Sequence, residues 1–138
     1  IDYGIIYESD FKDEVKLEAY VDAAFGDRND GYSTAGYVIM LNNCPISWRT
    51  SGLKFAASSS TEAELGAVHM VLEELGHIRG MINELLDNKI LTPIKIHCDN
   101  SPAVLISNDD CSPGKSRTIN TKVAKIRRFI QDKIVEVV

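Results

Sequence analysis

In the stretch KLEAYVDAAF, apolar Leu17, Ala19 and Val21 alternate with Glu18, Tyr20 and Asp22, which is the two-residue period of a half-buried strand. The alternation puts Asp22 on the face opposite Leu17. The polar run GDRNDGYSTA predicts a turn, and two further strands, GYVIML and PISWR, flank the turn-forming pair Asn42-Asn43. Three successive strands joined by short turns predict an antiparallel meander. The long apolar-periodic segment TEAELGAVHMVLEELGHIRGMINELL predicts a helix opened by Ser/Thr caps, with an interruption expected at Gly76 or Gly80. A short strand follows in TPIKIHCDN, with Ile94, Ile96 and Cys98 on one side. SPAVLIS predicts a short helix, INTKVAKIRRFIQDK an amphipathic one, and IVEVV a last strand. This order of elements predicts an α/β architecture, a mixed sheet with helices packed on it.

The chain has 138 residues, 44% hydrophobic and 25% charged, with no repeat or linker-like tract, so residues 1–138 are read as one domain. No stretch approaches the ~18 uninterrupted apolar residues of a membrane span, and the first residues lack the basic start and apolar run of a signal peptide. The expectation is a soluble, intracellular domain without membrane contact. Cys44, Cys98 and Cys111 are scattered and odd in number, which predicts reduced, structural thiols rather than a zinc or redox motif. His69, His77 and His97 form no ligand cluster in the sequence and are read as structural. The net charge of −5 argues against nucleic-acid binding until its distribution is considered: Ser112 to Val138 carries +5 and the remainder −10. That basic segment reads either as a solvated helix face or as a phosphate-binding stripe.

The carboxylates change the picture further. At about 100° per residue, Glu64 falls within roughly 40° of Val68, Val71 and Leu75 on the sheet-facing stripe, while Glu62 points about 160° away. A lone buried carboxylate is costly unless paired, hydrogen-bonded or metal-bound. Glu64 therefore reads either as the acid of a Thr61-x-x-Glu64 capping box or as a metal ligand. Asp22 reads as a strand-end polar residue or a ligand, and Asp99 as a helix cap or a ligand. Two strand acids and one helix acid converging would make an oxygen-only site, suited to Mg²⁺ or Mn²⁺ rather than zinc.

VDAAFGD, STAGYV, PISW, SSSTEAELGAV, PIKIHCDNSPAV and FIQDKIVEVV together resemble, in order and spacing, the ribonuclease H domain of copia-type LTR retrotransposon polyproteins. The most specific part is STEAE followed about 35 residues later by a strand ending in CDN. The resemblance implies an RNase H-like fold with a five-stranded mixed sheet, three antiparallel strands followed by parallel ones. It places the family's catalytic, metal-binding acids on Asp22, Glu64 and Asp99. It implies two-metal hydrolysis of the RNA strand of RNA/DNA hybrids, with Mg²⁺ ions about 4 Å apart, replaceable by Mn²⁺, and with Asp22 bridging both. Residues 1–15 would connect to the preceding reverse transcriptase of the same polyprotein, acting in a cytoplasmic virus-like particle. Lys122, Lys125, Arg127 and Arg128 are candidate phosphate contacts, and Asn100 and Ser101 candidate backbone or sugar contacts.

Two departures stand out. The lysine-histidine-isoleucine-aspartate run usual before the family's last helix is replaced by SRTINTKVAK, which touches no assigned ligand. Family members also continue past the final strand into a helix with a fourth metal-binding aspartate, whereas this sequence closes at Val138, so the C-terminal helix and that ligand are expected to be absent from these residues. The alternative reading is therefore a catalytically silent RNase H-like scaffold or nucleic-acid-binding module. Integrases and transposases of related fold order their acids aspartate, aspartate, glutamate; here the order is aspartate, glutamate, aspartate.

Overall fold

The computed structural model describes residues 3–7, 15–87, 90, 93–109 and 111–138; most of the expected 1–15 connection lies outside them. The elements are β1 (Leu17–Ala24), β2 (Thr34–Leu41), β3 (Cys44–Gly52), α1 (Ser60–Leu85), β4 (Ile94–His97), α2 (Ser101–Ser107), α3 (Arg117–Gln131) and β5 (Val135–Val137). They build a five-stranded sheet in the order β3-β2-β1-β4-β5. β1 to β3 form the expected meander, and β4 and β5 run parallel to β1. The β2–β3 turn uses Asn42 and Asn43 at φ 46° and 66°, the positive-φ geometry that twists a hairpin correctly and that asparagine tolerates.

Period-2 burial holds as the sequence predicts except at Glu18, which lies opposite the core face yet is buried as well, paired with Lys16 and His97. Leu17, Ala19 and Val21 of β1, Ala35, Tyr37 and Ile39 of β2, and Ile94 and Ile96 of β4 enter one core with Leu65, Val68, Val71, Leu72 and Leu75 of α1. Ile119, Val123 and Ile126 of α3 complete it. The other face of the sheet keeps Tyr20, Val38 and Trp48 exposed.

α1 corrects one expectation. It runs through Gly76 and Gly80 without a break. Each glycine costs about 1 kcal/mol in a helix interior, but apolar residues anchored in the core from Ala63 to Ile82 hold the helix on both sides of them.

Candidate metal centre

The strand register brings two of the acids together. β1 and β4 are parallel partners with Tyr20 opposite His97. Asp22 lies two residues beyond Tyr20, and Asp99 two residues beyond His97. β4 ends at His97 and Asp99 sits in the bend beyond it, so the parallel pairing leaves both acids together at the C-terminal ends of neighbouring strands. Opposite Asp22 on its other side is Gly36 of β2, so no side chain crowds the aspartate from that strand.

The third acid arrives from the helix. Glu64 is 4% exposed, on the side of α1 that packs on the sheet, and it reaches the end of β1, where the Ala23 N–H donates to Oε1 at 3.0 Å. Carboxylate oxygens of Asp22, Glu64 and Asp99 all lie within 4.8 Å of one another. Asp22 and Asp99 are exposed, so the cluster is walled on the core side by Glu64 and open on the other.

The helix start is capped, but by other residues and without the full reciprocal box, since the glutamate involved accepts from the residue before the cap. Ser59, not Thr61, is the N-cap: its hydroxyl accepts from the Glu62 N–H at 3.2 Å, and Glu62 Oε2 accepts from the Ser58 N–H at 2.8 Å. With Glu62 closing the helix end, Glu64 is left for the cluster. Thr61 instead donates to Asn100 Oδ1 at 3.4 Å, tying the start of α1 to the start of α2.

Burial pushes the Glu64 carboxyl up to about 7, and the charges of Asp22 and Asp99 add to that rise, against the lowering pull of the Ala23 N–H and the Cys98 thiol. The Cys98 thiol is itself raised to about 11, chiefly by burial. It lies 3.8 Å from Glu64 Oε2, its S–H directed at that oxygen. Sequence reasoning assigned no role to Cys98 or to the Ala23 N–H. A signal for the first was present: Cys98 shares the inward face of Ile94 and Ile96, the side from which α1 approaches.

The other candidate residues are dispersed. Asn100 caps α2 by accepting from the Ala103 N–H at 2.9 Å, and Ser101 is exposed beside it. Lys122 lies 5.0 Å from the Phe55 ring centroid, and Lys125 pairs with Glu73 at 2.6 Å. Arg128 is 81% exposed with a loose 3.9 Å contact to Asp132. Arg127 has a different setting. Its guanidinium donates to the carbonyls of Ile106 and Cys111 and pairs with Asp109, clamping the loop between α2 and α3.

The histidines do not meet. His69 is half-buried and its imidazole is lowered to about 4, by burial first and then by Lys122 and Lys125. His97 stacks on Tyr20 with centroids 4.5 Å apart and contacts Glu18. His77 is exposed on α1. Among the described residues, all three cysteines are free thiols.

No family model matches the chain. It is 33% identical over 138 residues to the retrovirus-related Pol polyprotein from transposon RE2 of Arabidopsis thaliana, covering 99% of this chain and 9% of the relative. Against the corresponding polyprotein from transposon RE1 of the same plant, identity is 33% over 125 residues, or 90% of this chain and 8% of the relative. The chain thus spans less than a tenth of the length of these curated relatives. Among solved structures, LC11-RNase H1 in complex with an RNA/DNA hybrid, isolated from compost, matches with a TM-score of 0.62. Identity there is 18%, over 89% of this chain and 82% of that one. Sheet order, helix placement and this likeness define an α/β RNase H-like fold. The chain is an RNase H-like domain that matches the Pol polyproteins of copia- and Ty1-type retrotransposons over most of its length.

Proposed function

We propose that this domain hydrolyses the RNA strand of RNA/DNA hybrids, with Asp22, Glu64 and Asp99 as ligands for two Mg²⁺ ions that Mn²⁺ can replace. The convergence of the three carboxylates within 4.8 Å at one corner of an RNase H-like fold carries the reading. The donor set fits the ion: three anionic oxygen side chains suit a hard divalent cation. The state of Glu64 fits as well, because a buried carboxylate whose ionised form is disfavoured gains from a cation placed beside it. When bound, such ions supply Lewis-acid activation of water and neutralise charge at the phosphate.

The chain itself supplies position. Glu64 is held against β1 by the Ala23 N–H, and Asp22 and Asp99 face the open side from which a phosphodiester can approach. The hybrid is the preferred substrate because the structurally similar LC11 enzyme is bound to one. Lys122, Lys125 and Arg128 of α3, with Asn100 and Ser101 at the start of α2, are the proposed contacts to its backbone. The partners of Lys125 and Arg128 are exposed acids, and such pairs contribute about 0–1 kcal/mol, so they yield readily to phosphate. Arg127 is left out of this set because its guanidinium holds the α2–α3 loop. As part of a Pol polyprotein, the domain would work beside the reverse transcriptase in the virus-like particle.

A hybrid with its RNA strand labelled, incubated with Mg²⁺ or Mn²⁺, tests the reading. The wild-type domain is expected to shorten the RNA strand, and Asp22→Asn, Glu64→Gln and Asp99→Asn are each expected to abolish cleavage. Cleavage that survives Asp22→Asn unchanged contradicts it.

A further inference from the structure

Glu64 is fixed by two donors, and each is the chain neighbour of another acid. Ala23, whose N–H donates to Oε1 at 3.0 Å, follows Asp22; Cys98, whose thiol lies 3.8 Å from Oε2, precedes Asp99. Moving the Glu64 carboxylate therefore strains the strand ends that carry the other two acids. Cys98 is 8% exposed, and its own backbone is pinned, its N–H donating to the Val138 carbonyl at 2.9 Å. That bond fixes the Cys98 backbone at the β4–β5 edge, and burial of the side chain limits the rotation about Cα–Cβ that would carry the sulfur away from the glutamate.

We infer that Cys98 is a positioning residue for the metal centre, orienting the Glu64 carboxylate through its S–H so that it stays gathered with Asp22 and Asp99. This rests on the metal reading given above. A thiol suits the task because it is a weak donor on a small, nearly apolar side chain. It packs in the core at little desolvation cost, restrains the oxygen's direction, and competes less with a cation for that oxygen's lone pairs than a charged donor would.

Cys98→Ala and Cys98→Val remove the donor, the first by truncation and the second at similar bulk, whereas Cys98→Ser keeps a donor. Mn²⁺ titration by calorimetry on the whole domain, with melting temperature measured in chelator, separates positioning from packing. The Ala and Val variants are expected to raise the Mn²⁺ Kd by about tenfold, the lower end of what losing a group that orients a ligand costs. Cys98→Ser should stay within about twofold of wild type, although a hydroxyl is the poorer core filler. A pure packing role gives the opposite order, with Ser the worst in melting temperature and no change in Kd at equal folding. Wild-type affinity in both Ala and Val variants, or Ser as weak as Ala, overturns the inference alone. A wild-type domain that takes up no Mn²⁺ overturns the metal reading and this inference with it.

Discussion

The Ala23 N–H donates to Glu64 Oε1 across 3.0 Å, holding the carboxylate of a residue that is 4% exposed at the end of the central strand. This bond and the weak one from the Cys98 thiol do not offset the loss of water around a full charge, and the Glu64 carboxyl stands at about 7 rather than 4.5, chiefly through that burial. The site is thus built at a cost to the metal-free fold.

That cost has a sign and a pH window. An acid whose folded pKa exceeds its unfolded one binds the proton more tightly when folded, so stability falls as pH rises from 4.5 through 7 and the full penalty is present above that. In chelator, Glu64→Gln is expected to be more stable than wild type at pH 8 by up to about 3 kcal/mol, and nearly equal to it at pH 4 to 5. The Gln side chain can still accept from Ala23. Urea unfolding of both proteins across this range checks it; a difference that does not grow with pH shows that Glu64 carries no such penalty.

Divalent cation should reverse the penalty. Mn²⁺ at a hundred times its Kd stabilises the folded state by about 2.7 kcal/mol. The rise in melting temperature is expected to be larger at pH 8 than at pH 6 in wild type, since Glu64 must lose its proton to bind, and to vanish in Glu64→Gln. An equal rise in the Gln variant places the ion elsewhere.

The neighbouring glutamates should separate cleanly. Glu62 Oε2 accepts the Ser58 N–H and takes no part in the acid cluster, so Glu62→Gln is expected to leave hybrid cleavage unchanged, and Glu62→Ala to lower stability by about 0.5–1 kcal/mol through the weakened helix start. Glu64→Gln should abolish cleavage. Comparable losses of activity from both Gln variants would mean that Glu62 also serves the site.

How much of this was legible in the sequence follows from the range over which each feature is determined. The inward phase of Glu64 is set by helix periodicity within its own segment and could be read there, as could the outward aim of Asp22. The meeting of Asp22 with Asp99 depends on β1 and β4 pairing with Tyr20 opposite His97. Strand alternation gives the face of each acid but not its neighbour, and the resemblance supplied that link. Ser59-x-x-Glu62 and Thr61-x-x-Glu64 satisfy the same local pattern, and only the extended backbone at Ser59 decides that the helix starts at the first of them. Gly76 and Gly80 weaken the helix signal locally, but the core contacts on either side of them, which local propensity does not include, carry α1 through unbroken. Arg127 looked like its neighbour Arg128 until α2 was placed beside it, since its partners at Ile106, Asp109 and Cys111 lie 16 to 21 positions away.

Those two arginines should behave differently. Arg127→Ala removes bonds to two backbone carbonyls and is expected to destabilise the domain by about 1–3 kcal/mol. Arg128→Ala should leave stability within about 0.5 kcal/mol of wild type and weaken hybrid binding, lowering the salt slope by up to about one phosphate contact. Thermal unfolding and salt-dependent binding on the same proteins check both; an unchanged slope for Arg128→Ala, Lys122→Ala and Lys125→Ala together returns this helix face to solvent.

The most direct test of the metal centre is a crystal of the domain grown or soaked in Mn²⁺ and measured for anomalous scattering. The expected result is a peak bounded by the carboxylates of Asp22, Glu64 and Asp99, with metal–oxygen distances of about 2.0–2.3 Å, that disappears in Asp99→Asn. A peak at some other position, or none between these three carboxylates at saturating Mn²⁺, contradicts the assignment.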